Sequence, residues 1–169
     1  MNHIVKIITA ILAGFLALVL PSCSEGTRAP ADTETFCIKY NNVEIEPGTD
    51  MAAVLASLGE PKSYFEAASC AFSGLDKTFN YGSLRIDTYP DGDTDRILSI
   101  VLLDDAIATP EGITIGSSRA EVLTAYGGNY EGGADALTWR KGSSLIKILF
   151  RDDSVTSVQY YDANALGEG

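Results

Sequence analysis

From Ala136 onward, apolar and polar residues alternate with a period of two. Within each strand, Leu137, Trp139, Ile146, Ile148, Phe150, Val158 and Tyr160 fall on one face, and Thr138, Arg140, Lys147, Ser157 and Gln159 on the other. This period predicts three antiparallel strands covered on one side only, over Ala136 to Arg140, Leu145 to Arg151 and Val155 to Tyr161. Earlier in the chain Thr78 to Tyr81, Leu84 to Tyr89 and Ile97 to Leu103 predict a similar set. The connections between strands are turn sequences: Tyr81-Gly-Ser, Pro90-Asp-Gly-Asp, Lys141-Gly-Ser and Asp152-Asp153. Residue similarity around Tyr89 and Phe150 aligns the middle strands of the two sets at an offset of 61, but aligning Leu84 with Ile146 and Ile86 with Ile148, at 62, keeps the apolar rows in phase, and a slip of one would turn a whole row outward. Phe36 to Ile45 predicts a further hairpin or strand around Asn41-Asn42.

Before each set of strands the period changes to that of a short helix. Gly48, Val54, Leu55, Leu58 and Gly59 match Gly116, Val122, Leu123, Tyr126 and Gly127 at a constant spacing of 68 residues. Each copy carries an N-capping side chain, about nine helical residues, and a glycine suited to left-handed dihedrals at the C-terminus. Ser118 and Glu121 have capping-box spacing, and Pro61 stops the first copy. Helices this short are marginal alone and need a sheet to lie on. The expected fold is therefore α+β: two tandem repeats, at 36–108 and 109–162, each a short helix packed on a three-stranded antiparallel meander, joined in one continuous sheet or in two.

The amino-terminal pattern is of another kind. Lys6 precedes an uncharged apolar run from Ile7 to Leu20, the layout of an export signal and shorter than the ~20 residues of a membrane-spanning helix. The run ends in Leu20-Pro21-Ser22-Cys23, which resembles a bacterial lipobox. That resemblance implies a signal peptide over 1–22 and an acylated Cys23 that anchors the mature chain to the lipid bilayer, outside the cytoplasm, at the cell membrane or an outer membrane. Polar residues 24–35 read as a stalk continuing from Cys23, and 163–169 as a tail.

Charge narrows the function. The 169-residue chain carries a net charge of −11, a field that repels phosphate backbones and argues against nucleic-acid partners. The one histidine, His3, falls inside the signal segment, so the exported chain has no imidazole for a triad, an acid–base pair or a metal site. No phosphate-cradling glycine loop and no Gly-x-Ser-x-Gly elbow is present, and the expectation is a chain without catalytic residues or a cofactor.

The tandem motif Gly-x-x-x-x-x-Val-Leu-x-x-[Leu/Tyr]-Gly leading into a meander resembles the fold shared by β-lactamase inhibitor proteins and the small lipoprotein subunits of the bacterial outer-membrane β-barrel assembly machine. Segments Ser69 to Lys77 and Thr109 to Gly116 are similar to those of a group of bacterial lipoproteins. The resemblance covers about residues 36 to 162. It implies a non-catalytic module of the cell envelope that binds an envelope or secreted protein across its sheet, an enzyme inhibitor or an assembly accessory being special cases.

Candidate site residues follow from chemistry. Cys37 and Cys70 are the thiols left for a disulfide once Cys23 is acylated, with two unpaired thiols as the other reading. Tyr126, Trp139, Phe150 and Tyr160 fall in the apolar rows and are assigned to the core, whereas Tyr40, Tyr89, Tyr130 and Tyr161 are the aromatic candidates for an interface. Asp91, Asp93 and Asp95 are spaced as a calcium loop begins, but Arg96 stands where glycine is wanted, so a solvated hairpin turn is the stronger reading. A surface lipoprotein that binds calcium or a small ligand through such acidic turns is the alternative function.

Overall fold

The computed structural model describes residues 34–167. Strands β1 (Ile38–Tyr40) and β2 (Val43–Ile45) form a hairpin, turned by Asn41 and Asn42 at positive φ. Helix α1 (Met51–Leu58) leads into β3 (Ser63–Ala68), β4 (Leu75–Asn80), β5 (Leu84–Asp91) and β6 (Thr94–Leu102). Helix α2 (Arg119–Tyr126) leads into β7 (Glu131–Gly132), β8 (Ala136–Lys141), β9 (Ser144–Arg151) and β10 (Ser154–Asp162). All neighbours are antiparallel, and the last eight strands form one sheet in the order β3-β4-β5-β6-β10-β9-β8-β7.

The α+β expectation of a helix on a three-stranded meander, written twice, is corrected by this topology. Among the described residues the structure is mostly β: two helices of eight residues stand against ten strands, and each half of the large sheet has four strands, not three. The additional strands are β3 and β7, which lie at the two edges. Every position of both is exposed, so neither has an alternating burial to impress on the sequence.

Local bonding is nevertheless matched between the halves. The Asp50 side chain accepts from the Ala52 N–H at α1, and Ser118 with Glu121 completes a capping box at α2. Gly48 and Gly116 donate to the carbonyls of Ile97 and Val155 at 2.7 and 2.8 Å, and the N–H groups of Ile97 and Val155 donate back to Thr49 and Ser117 at 2.9 and 2.8 Å. Just beyond those residues both ladders shift register, leaving Leu98 and Thr156 as bulges. The halves meet where β6 pairs with β10. The Val101–Gln159 pair lies between Ile100–Tyr160 and Leu102–Val158, so a local two-fold through it exchanges the flanking pairs.

One face of the sheet is packed. Phe79, Ile86, Ile100, Tyr160, Ile146 and Trp139 follow one another across the strands as one row, and Leu84, Leu102, Val158, Ile148 and Leu137 form the next. These rows share a core with Ile38 and Ile45 of the hairpin, Met51 and Val54 of α1, Val122 of α2, and Ile107 and Ile113 of the connecting loop. Among the described residues both helices and the β1–β2 hairpin pack on this side and not on the opposite, open face.

Candidate functional site

Because strand side chains alternate, the residues between the core rows point to the open face. Thr78, Asp87, Ser99, Tyr161, Leu145 and Arg140 are successive partners across six strands. Arg85, Val101, Gln159, Lys147 and Thr138 form the neighbouring row. Val101 and Leu145 are buried without belonging to the hydrophobic core.

The polar groups here are fixed to one another. Asp87 accepts from the Thr78 hydroxyl at 2.9 Å, the Ser99 hydroxyl at 2.9 Å and Arg85 Nε at 3.1 Å. Gln159 Nε2 donates to the Ser157 hydroxyl at 2.9 Å, and its carbonyl oxygen accepts from Tyr161. Burial pushes the Tyr161 phenol above its ordinary pKa, with the Asp87 charge adding to the effect, so it stays a neutral donor. Toward β8 and β9 the face carries Arg140, Lys147 and Arg151, with Glu131 at the edge opposing them. This is a locally cationic surface on a chain whose net charge is −11. What such an arrangement can do is present a flat, preset pattern of hydrogen-bonding groups and positive charge. Nothing in it activates a nucleophile.

The four tyrosines singled out by sequence are not brought together. Tyr161 lies on the open face, while Tyr130, 41 % exposed, sets its ring against Trp139 near α2. Tyr40 is half-buried and donates to the Tyr81 carbonyl at 3.1 Å. Tyr89 is a correction: it is buried, packs on Phe72, and donates to Asp162 Oδ2 at 2.9 Å. Its parity in β5 made it look exposed, but the loop containing Phe72 folds over it. The four residues assigned to the core fare differently: Trp139, Phe150 and Tyr160 are buried, and Tyr126 is partly buried against them.

The acidic turn does not assemble a cation site. Asp91 pairs with Arg96 Nε at 2.6 Å and Asp95 with Lys77 Nζ at 2.6 Å, which leaves Asp93 at the exposed hairpin tip. No cluster of three or more metal-ligating side chains occurs among the described residues. Cys37 and Cys70 are both free thiols, which corrects the disulfide reading: Cys37 is half-buried beside β1, and Cys70 is exposed in the β3–β4 connection. Burial, then Glu44, raises the Cys37 thiol to about 11, so it is protonated and unreactive at neutral pH. Cys23 and the signal and stalk segments over 1–33 lie outside the described residues. Among the described residues no helix is long and apolar enough to cross a membrane.

Sequence reasoning missed the Asp87 network. Thr78, Arg85, Asp87 and Ser99 come from three strands, and only the register of β4, β5 and β6 places them together. The available signal was the parity of Arg85 and Asp87, opposite to Leu84 and Ile86.

No family model and no curated protein matches the chain. It is similar to a solved structure, an extracellular protein containing a SCP domain from Bacillus anthracis str. Ames. The two share 12% sequence identity with a TM-score of 0.54 over 72% of this chain. The match spans 46% of that protein's chain, less than half its length. At this identity the likeness concerns the fold alone.

Proposed function

We propose that the chain is an exported, lipid-anchored and non-catalytic module that holds an envelope or secreted protein against the open face of its sheet. The observation that carries this reading is the row from Thr78 to Arg140 on the face away from the core, in which Asp87 already bonds Thr78 and Ser99. Preset side chains lose less entropy on association, so such a face favours a macromolecular partner over a small ligand, which would need a concave pocket. The cationic end at Lys147 and Arg151 selects for a partner with an acidic patch. Export rests on the basic-then-apolar start of the chain, and anchoring on Cys23 after Leu20-Pro21-Ser22. The structural neighbour is itself an extracellular protein.

The test uses the full chain as bait in envelope extracts. A protein recovered in this way is then titrated directly against wild type, Tyr161→Ala and the Lys147→Glu/Arg151→Glu double variant. Loss of affinity in both variants, with a salt dependence that weakens in the charge variant, is the expected result. Equal affinity for all three would remove the open face as the binding surface. For the anchor, Cys23→Ala should release the chain from the membrane fraction, and an intact-mass measurement should find diacylglyceryl only on the unsubstituted protein.

A further inference from the structure

The two edges of the sheet are equivalent by position in their halves but not in character. Edge strand β7 is two residues long and runs into Gly132 and Gly133, which blunts it. Edge strand β3 is six residues long and pairs along its full length with β4. It displays Tyr64 at 49 % and Phe65 at 66 % exposure, and Leu75, opposite Ala68 at the other end of the ladder, is 40 % exposed. A long exposed edge with aromatic side chains presents unpaired backbone groups to another strand. We propose that β3 pairs antiparallel with β3 of a second copy of this chain, extending the sheet across a two-fold axis.

Charge placement selects this occupant. Lys62 and Glu66 lie symmetrically about Tyr64. In an antiparallel pair centred on Tyr64, each Lys62 stands opposite the other copy's Glu66, so both ends of the pairing carry opposite charges. Moving the centre of the pair by one residue, to Phe65, loses both matches and sets Tyr64 opposite Glu66. The pairing is isologous and consumes the one long edge, while the blunt β7 edge gives no second site, so association closes at a dimer. The contact is small and the rest of the chain is strongly acidic, so the dimer is concentration-dependent and strengthens as salt screens the overall repulsion. Pairing at the β3 edge is independent of the open-face partner proposed above.

The experiment is sedimentation velocity of the full chain in detergent, over a concentration series at low and moderate salt. Wild type should pass from monomer to dimer. Glu66→Lys places Lys62 opposite a lysine at both ends and should weaken dimerisation by about tenfold. The combined Lys62→Glu/Glu66→Lys exchange should restore it, which a heterologous surface would not do. Circular dichroism of each variant separates loss of pairing from loss of fold. A monomer at every concentration, an open-ended series of oligomers, or a dimer indifferent to Glu66→Lys would overturn the proposal.

Discussion

Tyr81 and Trp139 fasten the two halves of the structure in the same way: each donates from the polar group of its aromatic side chain to the carbonyl of the glycine that ends the preceding helix. The Tyr81 hydroxyl reaches Gly59 O at 3.1 Å, and Trp139 Nε1 reaches Gly127 O at 3.1 Å. The C-terminal carbonyls of a helix lack intrahelical partners, so each bond satisfies a group that the helix leaves open while fixing its end to the sheet. Tyr81→Phe should cost about 1 kcal/mol, the usual net worth of such a bond. Trp139→Phe adds lost packing against Tyr126 and should cost about 2–3 kcal/mol. Denaturant midpoints at constant m-value check both, and the two losses should add. If Tyr81→Phe changes nothing, the bond is not a fastening.

Arg119 begins α2 where Met51, buried, begins α1. Its guanidinium carbon lies 4.0 Å from the Phe150 ring centroid, its Nε bonds Asp153 at 2.8 Å, and its Nη2 bonds the Ala134 carbonyl. Asp153 is 82 % exposed, so water screens the ion pair and the stacked, half-buried guanidinium supplies most of the gain. Arg119→Ala is expected to cost about 1–2 kcal/mol and Asp153→Asn less than about 0.5 kcal/mol, measured by urea unfolding. An equal loss from both substitutions would mean that the ion pair dominates after all.

How much of this was legible in the sequence depends on whether an element has a buried side. The helices announced themselves through Asp50, Ser118, Glu121 and the terminal glycines, because caps are local chemistry. Strands β5, β9 and β10 alternate in burial over much of their length, and their residues alternate accordingly, whereas β6 is buried throughout from Ser99 to Leu102. Edge strands β3 and β7 have no cover, and missing them turned a mostly β chain into an α+β expectation. The open-face candidates were limited in the same way. Parity puts Tyr161 on the face away from the core, but it could not foresee that a loop residue, Phe72, would pack on Tyr89, nor that Arg96 and Lys77 would engage the turn carboxylates. Those outcomes depend on contacts between segments distant in the chain.

Gly132 and Gly127 separate two uses of glycine. Gly127, at φ 76°, caps α2 with open space around it, so Gly127→Ala should cost about 1 kcal/mol from backbone strain alone. At Gly132, φ is 121° and an added Cβ would lie 2.2 Å from the Ala136 carbonyl oxygen, a backbone atom that cannot move aside without opening the β7–β8 pairing. Gly132→Ala should therefore destabilise by more than Gly127→Ala and raise hydrogen exchange locally at β7 and the start of β8. Similar midpoints and unchanged exchange would refute the distinction.

Alkaline pH should unfold the protein through groups that the fold keeps neutral. Burial raises the Cys37 thiol from 9.0 to about 11 and the Tyr89 phenol from 10.0 to about 12, the latter reinforced by its bond to Asp162. Burial also holds Tyr126 and Tyr160 well above the ordinary phenol value. A pKa raised in the folded state gives stability that is complete below the unfolded value and is lost as pH rises toward the folded one. Stability should thus hold up to pH 9.0, begin to fall as Cys37 titrates in the unfolded chain, and fall more steeply above 10.0 as the tyrosines join it. Tyr160→Phe keeps the ring and removes a titrating hydroxyl, so it should flatten the decline above 10.0 while leaving the slope between 9.0 and 10.0 intact. Urea midpoints across this range, with phenolate absorbance recorded on the same samples, measure both effects. A midpoint that stays constant to pH 11 would show that these side chains are not protected from ionisation by the fold.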